Sequence, residues 1–282
     1  MEDTSALGTL ISIFIFLSSY KGFRDQAYTD QYIFDVDKIL KEKQYHRLIS
    51  SGFLHGGWFH LIFNLVALLS FSNSIELIFG KIKYLILFFV SLIGGNLLAL
   101  FFHRNHGDYR ALGASGAISG VVFASIVLMP ESTLSLIMIP IKFPAWFFGI
   151  VFILVSIFGI KNSWGNIGHA AHLGGAIVGM LMTIALYPSV LKLHPWILAA
   201  FLVPCIVFFF LLYRYPEMMM VNDFLSKKFK TIRADIRRKQ MEKPAELDPK
   251  EELDRILDKI RKSGMESLTL KEKRDLQRFS KK

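Results

Sequence analysis

The chain has 282 residues, 52% of them apolar and 26 of them Phe, with a mean hydropathy of +0.41. Soluble domains hold about 45–50% apolar residues even when Gly is counted, so the composition excludes an ordinary soluble enzyme and indicates a polytopic membrane protein whose apolar surface is buried against lipid and neighbouring helices. The lone Cys205 excludes an internal disulfide framework. The net charge of +10 includes a basic block near the carboxyl end that reads as a membrane-surface element, so the expected surroundings are a lipid bilayer and no nucleic acid.

Apolar stretches of roughly spanning length run over Ala6–Tyr20, Trp58–Phe79, Tyr84–Phe102, Ser115–Met129, Phe143–Ile160, His172–Tyr187 and Trp196–Tyr213. A helix needs about 20 residues to cross and tolerates about 17, so the first, fourth and sixth must borrow flanking residues. Glu2 and Asp3 stand where a signal peptide would carry positive charge, so the first stretch is expected to stay as a span. The segment from Lys21 to Gly57 mixes both charge signs with aromatic residues and is expected to fold as a loop at the membrane surface.

After Tyr213 the character changes. Lys227 to Lys239 holds seven basic residues against Asp235 alone, with Phe224, Leu225, Phe229, Ile232 and Ile236 at helical spacing, which predicts a basic amphipathic helix on anionic lipid. Beyond Pro244, Leu253, Ile256, Leu257 and Ile260 form a second apolar stripe that Gly264 ends, and Thr269 with Glu272 predicts a capping box opening a helix that carries Leu276 and Phe279.

The chemistry gathers in three places. Ser115 lies in Gly113-Ala114-Ser115-Gly116, where a polar loop becomes an apolar helix, and His172 lies in a later apolar stretch beginning Gly168-His169-Ala170-Ala171. A serine hydroxyl becomes a useful nucleophile when a neighbouring base takes its proton, and the tetrahedral intermediate then needs donors at its oxyanion. His60 and Asn64, four apart at the start of the second stretch, share a helix face and can aim donors at one spot. Polar side chains in hydrocarbon usually face a bundle interior or a water-filled cavity. Ser115 and Ser119 beside Gly116 and Gly120, and His172, Gly175 and Gly179, give two helix faces small enough to approach closely. No Asp or Glu lies in either stretch to orient the histidine.

Together these residues resemble the rhomboid intramembrane serine proteases: His60 through Asn64 match the family's HxxxN, Gly113 to Gly116 its GxSG, and His172 with Gly175 and Gly179 its AHxxGxxxG. The resemblance covers about Tyr45 to Tyr187. It implies a serine endopeptidase without cofactor or metal, in which Ser115 attacks, His172 takes the proton, and Asn64, His60 and the Ser115 amide hold the oxyanion. Gly116 and Gly175 are then packing residues, with Gly113 and Gly179 also structural, and Glu76 matches a structural glutamate. Tyr45-His46-Arg47 keeps the arginine of the family's Trp-Arg pair and replaces its tryptophan with histidine. Membrane-embedded proteins with small or helix-breaking residues are the implied substrates, admitted sideways past a gate for which Trp146, Phe147, Phe148 and Phe152 are candidates.

The expected architecture is an all-α polytopic membrane helical bundle, with a rhomboid-like six-helix core, a seventh carboxyl-terminal transmembrane helix and a soluble helical tail. The division is a protease core at 1–190, an additional helix at 191–215, a basic juxtamembrane segment at 216–243 and a helical tail at 244–282. The tail resembles an extension on some bacterial rhomboids, so the expectation is a bacterial-type protein in the inner membrane. Lys81 and Lys83 favour a cytoplasmic amino terminus, whereas seven spans place the basic block outside, against the positive-inside rule. His55 and His169 read as structural and His103 and His106 as solvated. A metal hydrolase built on His55, His60, His169 and His172 lacks an HExxH pattern. A non-catalytic relative that binds membrane helices would be expected to lack the serine or the histidine.

Overall fold

In a computed structural model the described residues are 5–136, 139–162, 168–215 and 249–280. Two compact units result, Met1–Asn222 and Asp223–Lys282.

In the first unit α1 spans Ala6–Arg24, α5 Trp58–Phe79, α6 Lys81–His103, α7 Ser115–Leu128, α8 Ala145–Asn162, α9 His169–Leu186 and α11 Pro195–Arg214, with the short α10, Val190–Leu193, before the last. All of these long helices except α7 are long and apolar enough to cross a membrane. The chain is therefore a multi-pass helical bundle. Gly80 ends α5 and opens α6 at φ +74°, a backbone region that L side chains rarely adopt, and its N–H closes α5 on the Glu76 carbonyl.

The helix that carries Ser115 is the short one. Its 14 residues rise about 21 Å, against about 30 Å of hydrocarbon. With its far end at one interface, Ser115 lies about 9 Å beneath the other. Every residue from Gly116 to Val127 is buried, as befits a helix walled by other helices on all sides.

Close approach builds that wall. A Cβ added to Gly175 of α9 would run into the Gly116 carbonyl of α7, and one on Gly179 into the Gly120 carbonyl. One added to Gly95 of α6 would meet the Ala171 carbonyl of α9 at 2.5 Å. With lipid outside, van der Waals contact between backbones replaces the hydrophobic drive that packs soluble helices.

The segment after α1 folds as expected of a structured loop. It forms α2 (Gln26–Tyr32), β1 (Phe34–Asp35), α3 (Val36–Leu40), α4 (Arg47–Ser50) and a 3₁₀ turn at Ser51–Phe53. Arg47 is buried and donates to the Asp30 and Ile33 carbonyls at 3.0 and 2.6 Å and to Gln44 Oε1 at 2.7 Å. It is thus a cross-brace for the loop.

Two short strand pairs decorate the helices. Antiparallel β1 pairs with β2 (Arg110–Ala111), and β3 (Thr133–Leu136) pairs with β4 (Ile139–Pro144) through Thr133↔Pro144 and Leu134↔Phe143. Phe143, expected to open the fifth span, is therefore a strand residue, and α8 begins at Ala145. Pro144 disfavours helical backbone in the residue before it, which keeps Phe143 extended. On the other side of α8, α11 packs with Phe201 seated against Gly149 and with Trp196 5.8 Å from Trp146, ring centre to ring centre.

In the second unit α12 (Pro249–Ser263) ends at Gly264, φ +77°, and α13 (Leu270–Phe279) opens on the reciprocal Thr269–Glu272 capping box. Glu272 also accepts from Arg255 at 2.9 Å and Lys259 at 2.8 Å of α12. These bonds to Lys259 and to Thr269 hold its carboxyl far below the usual range, at about 2. The expected basic segment at 216–243 lies outside the described residues.

Candidate active site

The Ser115 loop is fixed by its glycine and by its neighbours. Gly113 sits at φ +133° and donates from its N–H to the Ser51 carbonyl at 3.0 Å. A Cβ there would meet the His60 ring at 2.8 Å, so the position excludes a side chain on both conformational and steric grounds. The first rung of α7 runs from the Ile118 N–H to the Ala114 carbonyl. The N–H groups of Ser115, Gly116 and Ala117 precede that rung, as helix N-termini require, and are available to an anion.

Ser115 Oγ and His172 Nε2 are hydrogen-bonded at 2.7 Å. The pair joins the first turn of α7 to the first turn of α9, and the glycine contacts between those helices are what let the two side chains meet. Phe152 of α8 lies 5.9 Å from the His172 ring and 5.4 Å from Phe123. His169, which reads as structural, opens α9 and is buried, its ring against Gly159 of α8, where the missing side chain leaves room.

His60 and Asn64 occupy one face of α5, as their spacing predicts. Buried Asn64 donates one amide hydrogen from Nδ2 to the His60 carbonyl at 2.8 Å, which leaves its second hydrogen for another acceptor. The His60 ring lies over Gly113, next to Ser115. His55 was legible in the sequence only as a structural histidine five residues ahead of His60. It is buried, meets the His60 ring edge-on at 4.8 Å, and bonds Ser19 Oγ and the Ala114 N–H.

Other expected residues fall into place around this centre. Glu76 accepts hydrogen bonds from Ser5 Oγ and from the Leu7 N–H, tying the start of α1 to the end of α5. His103, expected to be solvated, stacks face to face on Tyr109 at 3.6 Å, because the turn through His106 folds Tyr109 back over it; His106 likewise is only half-exposed. Trp146, Phe148 and Phe152 pack on the core, while Phe147 points outward and is 47% exposed. Among the described residues no three His, Cys, Asp or Glu side chains converge as metal ligands.

A family model described as "Rhomboid domain" matches residues 42–189, more than half the chain. The chain belongs to the rhomboid family. Members of this family are mostly intramembrane serine proteases, and some are inactive. A second match, "Family of unknown function (DUF6576)", covers residues 245–282 of this rhomboid. The chain is 33% identical over 137 residues to Rhomboid protein 1, mitochondrial, of Saccharomyces cerevisiae (48% of this chain, 40% of that protein). RHOMBOID-like protein 12, mitochondrial, of Arabidopsis thaliana is 31% identical over 178 residues (57% and 52%). Presenilin-associated rhomboid-like protein, mitochondrial, of Homo sapiens is 33% identical over 135 residues (47% and 36%). The rhomboid thus spans about half or less of the length of these relatives. Their names are mitochondrial, so they lend no support to a bacterial-type protein in a bacterial inner membrane; its multi-pass character stands.

Proposed function

We propose that this rhomboid is an intramembrane serine endopeptidase that cuts membrane-embedded protein substrates. Ser115 Oγ attacks the scissile carbonyl carbon while His172 Nε2 takes the hydroxyl proton. The tetrahedral oxyanion is met by the Ser115 N–H, the free amide hydrogen of Asn64 and the His60 ring. On collapse His172 returns the proton to the leaving amine, and the carbon–nitrogen bond breaks. A water then gives its proton to His172 and attacks the acyl-serine, releasing the second fragment and restoring Ser115.

The observation that carries this reading is the 2.7 Å Ser115–His172 bond at the first turn of a helix too short to cross. Among the described residues no carboxylate is hydrogen-bonded to the His172 ring, and the imidazole is aimed by packing. Phe152 and the α7–α9 glycine contacts supply that packing. The apolar helix walls around the pair lower the local dielectric and strengthen the dipoles aimed at the developing charge.

Substrate helices have to expose a peptide bond to this site, so small or helix-breaking residues near a single span are the target class. The side with Trp146, Phe147, Phe148 and Phe152 is the proposed lateral gate, Phe147 facing outward. Reaction with a fluorophosphonate tests the reading at the atom concerned. The wild-type protein gains a covalent adduct on Ser115, and His172→Ala does not; an unmodified wild type would contradict it.

A further inference from the structure

His55 touches none of the atoms assigned to bond making, yet α1, α5 and the Ser115 loop all meet at its ring. Its Nδ1 is 2.9 Å from Ser19 Oγ of α1, its Nε2 is 3.4 Å from the Ala114 N–H, and its ring edge abuts His60 of α5. Ser19 Oγ is in turn 3.0 Å from the Phe53 carbonyl. His55 and Ser19 are both buried.

The hydrogen directions in this chain are fixed by elimination. The Ala114 N–H can only donate, so His55 Nε2 accepts. Burial, reinforced by the neighbouring His60 ring, pushes the His55 pKa down to about 3, so the imidazole is neutral and carries one proton. That proton is on Nδ1 and is donated to Ser19 Oγ, whose own hydrogen goes to the Phe53 carbonyl. Every link has one donor and one acceptor, and none can be reversed.

Resting on the serine reading above, we infer that His55 is a positioning residue that holds the peptide before the nucleophile and the proposed oxyanion donor His60 in one frame anchored to α1 through Ser19. The peptide it grips is Gly113–Ala114, the one that sets where the Ser115 N–H and Oγ point. With the Gly113 N–H held by the Ser51 carbonyl, both peptide hydrogens ahead of Ser115 are tied down. Reacting groups displaced by about 1 Å lose rate on the order of a hundredfold, so a loop held at this point acts on rate more than on binding.

The test is the rate of fluorophosphonate reaction at Ser115 in the full chain, with thermal unfolding in detergent measured on each variant. His55→Phe keeps the ring volume and removes both bonds; its labelling falls on the order of 10- to 100-fold. His55→Gln places an amide oxygen near the lost Nε2 and recovers most of that rate, whereas His55→Asn reaches Ser19 alone and stays slow. Should the His55 variants not fold, Ser19→Ala leaves the ring in place, loosens its anchor and slows labelling about threefold. Gln and Asn behaving alike, slowing that only tracks unfolding temperature, or a folded Ser19→Ala with wild-type rate would overturn the inference while leaving the serine reading intact. A wild-type protein that takes no label overturns both.

Discussion

Gly175 of α9 presses against the Gly116 carbonyl of α7 so closely that no side-chain carbon fits between them. The contact lies one residue beyond Ser115 and three beyond His172, so it sets the spacing of the proposed dyad. Gly175→Ala has to push apart backbones that cannot swing aside, at a cost of about 1–3 kcal/mol. Cleavage falls with the lost 2.7 Å bond. Gly57→Ala is the control, because an added Cβ there meets nothing within 4 Å. Thermal unfolding in detergent and a cleavage assay on both variants check the difference; equal behaviour would count against it.

The same logic applies at the opposite end of α5. Glu76 is buried and takes the Ser5 hydroxyl and the Leu7 N–H, so Glu76→Ala leaves two donors without their acceptor. A loss of about 1–3 kcal/mol is expected for each buried group left unsatisfied. Glu76→Gln keeps an acceptor oxygen and loses less. Unfolding temperature reads the effect, and the fluorophosphonate rate of the protein that remains folded stays near wild type.

Arg47 holds the surface loop through three acceptors that diverge around a planar guanidinium. Burial lowers its pKa from the ordinary arginine value. Arg47→Lys cannot span all three positions, since an ammonium is a point donor on a flexible stem. Hydrogen exchange across residues 26–53 is expected to speed up in this variant, with α6 and α9 unchanged. Unaltered exchange in the loop would show that the brace is dispensable.

Glu272 gives the tail its own pH dependence. Its folded pKa is depressed from 4.5 to about 2. A depressed carboxylate contributes stability that is complete above the unfolded value and is lost as pH falls through the folded one. Amide protection in α12 and α13 of the full chain should therefore hold at pH 6 and decline between about pH 4.5 and 2. Glu272→Gln removes that dependence and lowers protection already at pH 6.

Much of this was legible because the signals were local. Thr269, Glu272 and Gly264 mark helix ends by the chemistry of capping. Ser115, His172, His60 and Asn64 stood out because polar side chains are costly in apolar segments. Three features were hidden. The β3–β4 pair falls between the fourth and fifth expected spans and takes Phe143 from the fifth, and Pro144 was the available clue to that boundary. His103 read as solvated, since its stacking on Tyr109 depends on a turn. His55 acquires its partners from α1 and the α7 loop, contacts that sequence spacing does not encode.

Cleavage of a single-span reporter protein in liposomes by wild type, Ser115→Ala and His172→Ala tests the central claim most directly. The wild type is expected to cut, and each variant to lose turnover at least about a thousandfold while unfolding at the wild-type temperature. A folded Ser115→Ala protein that still cuts the reporter would contradict the account.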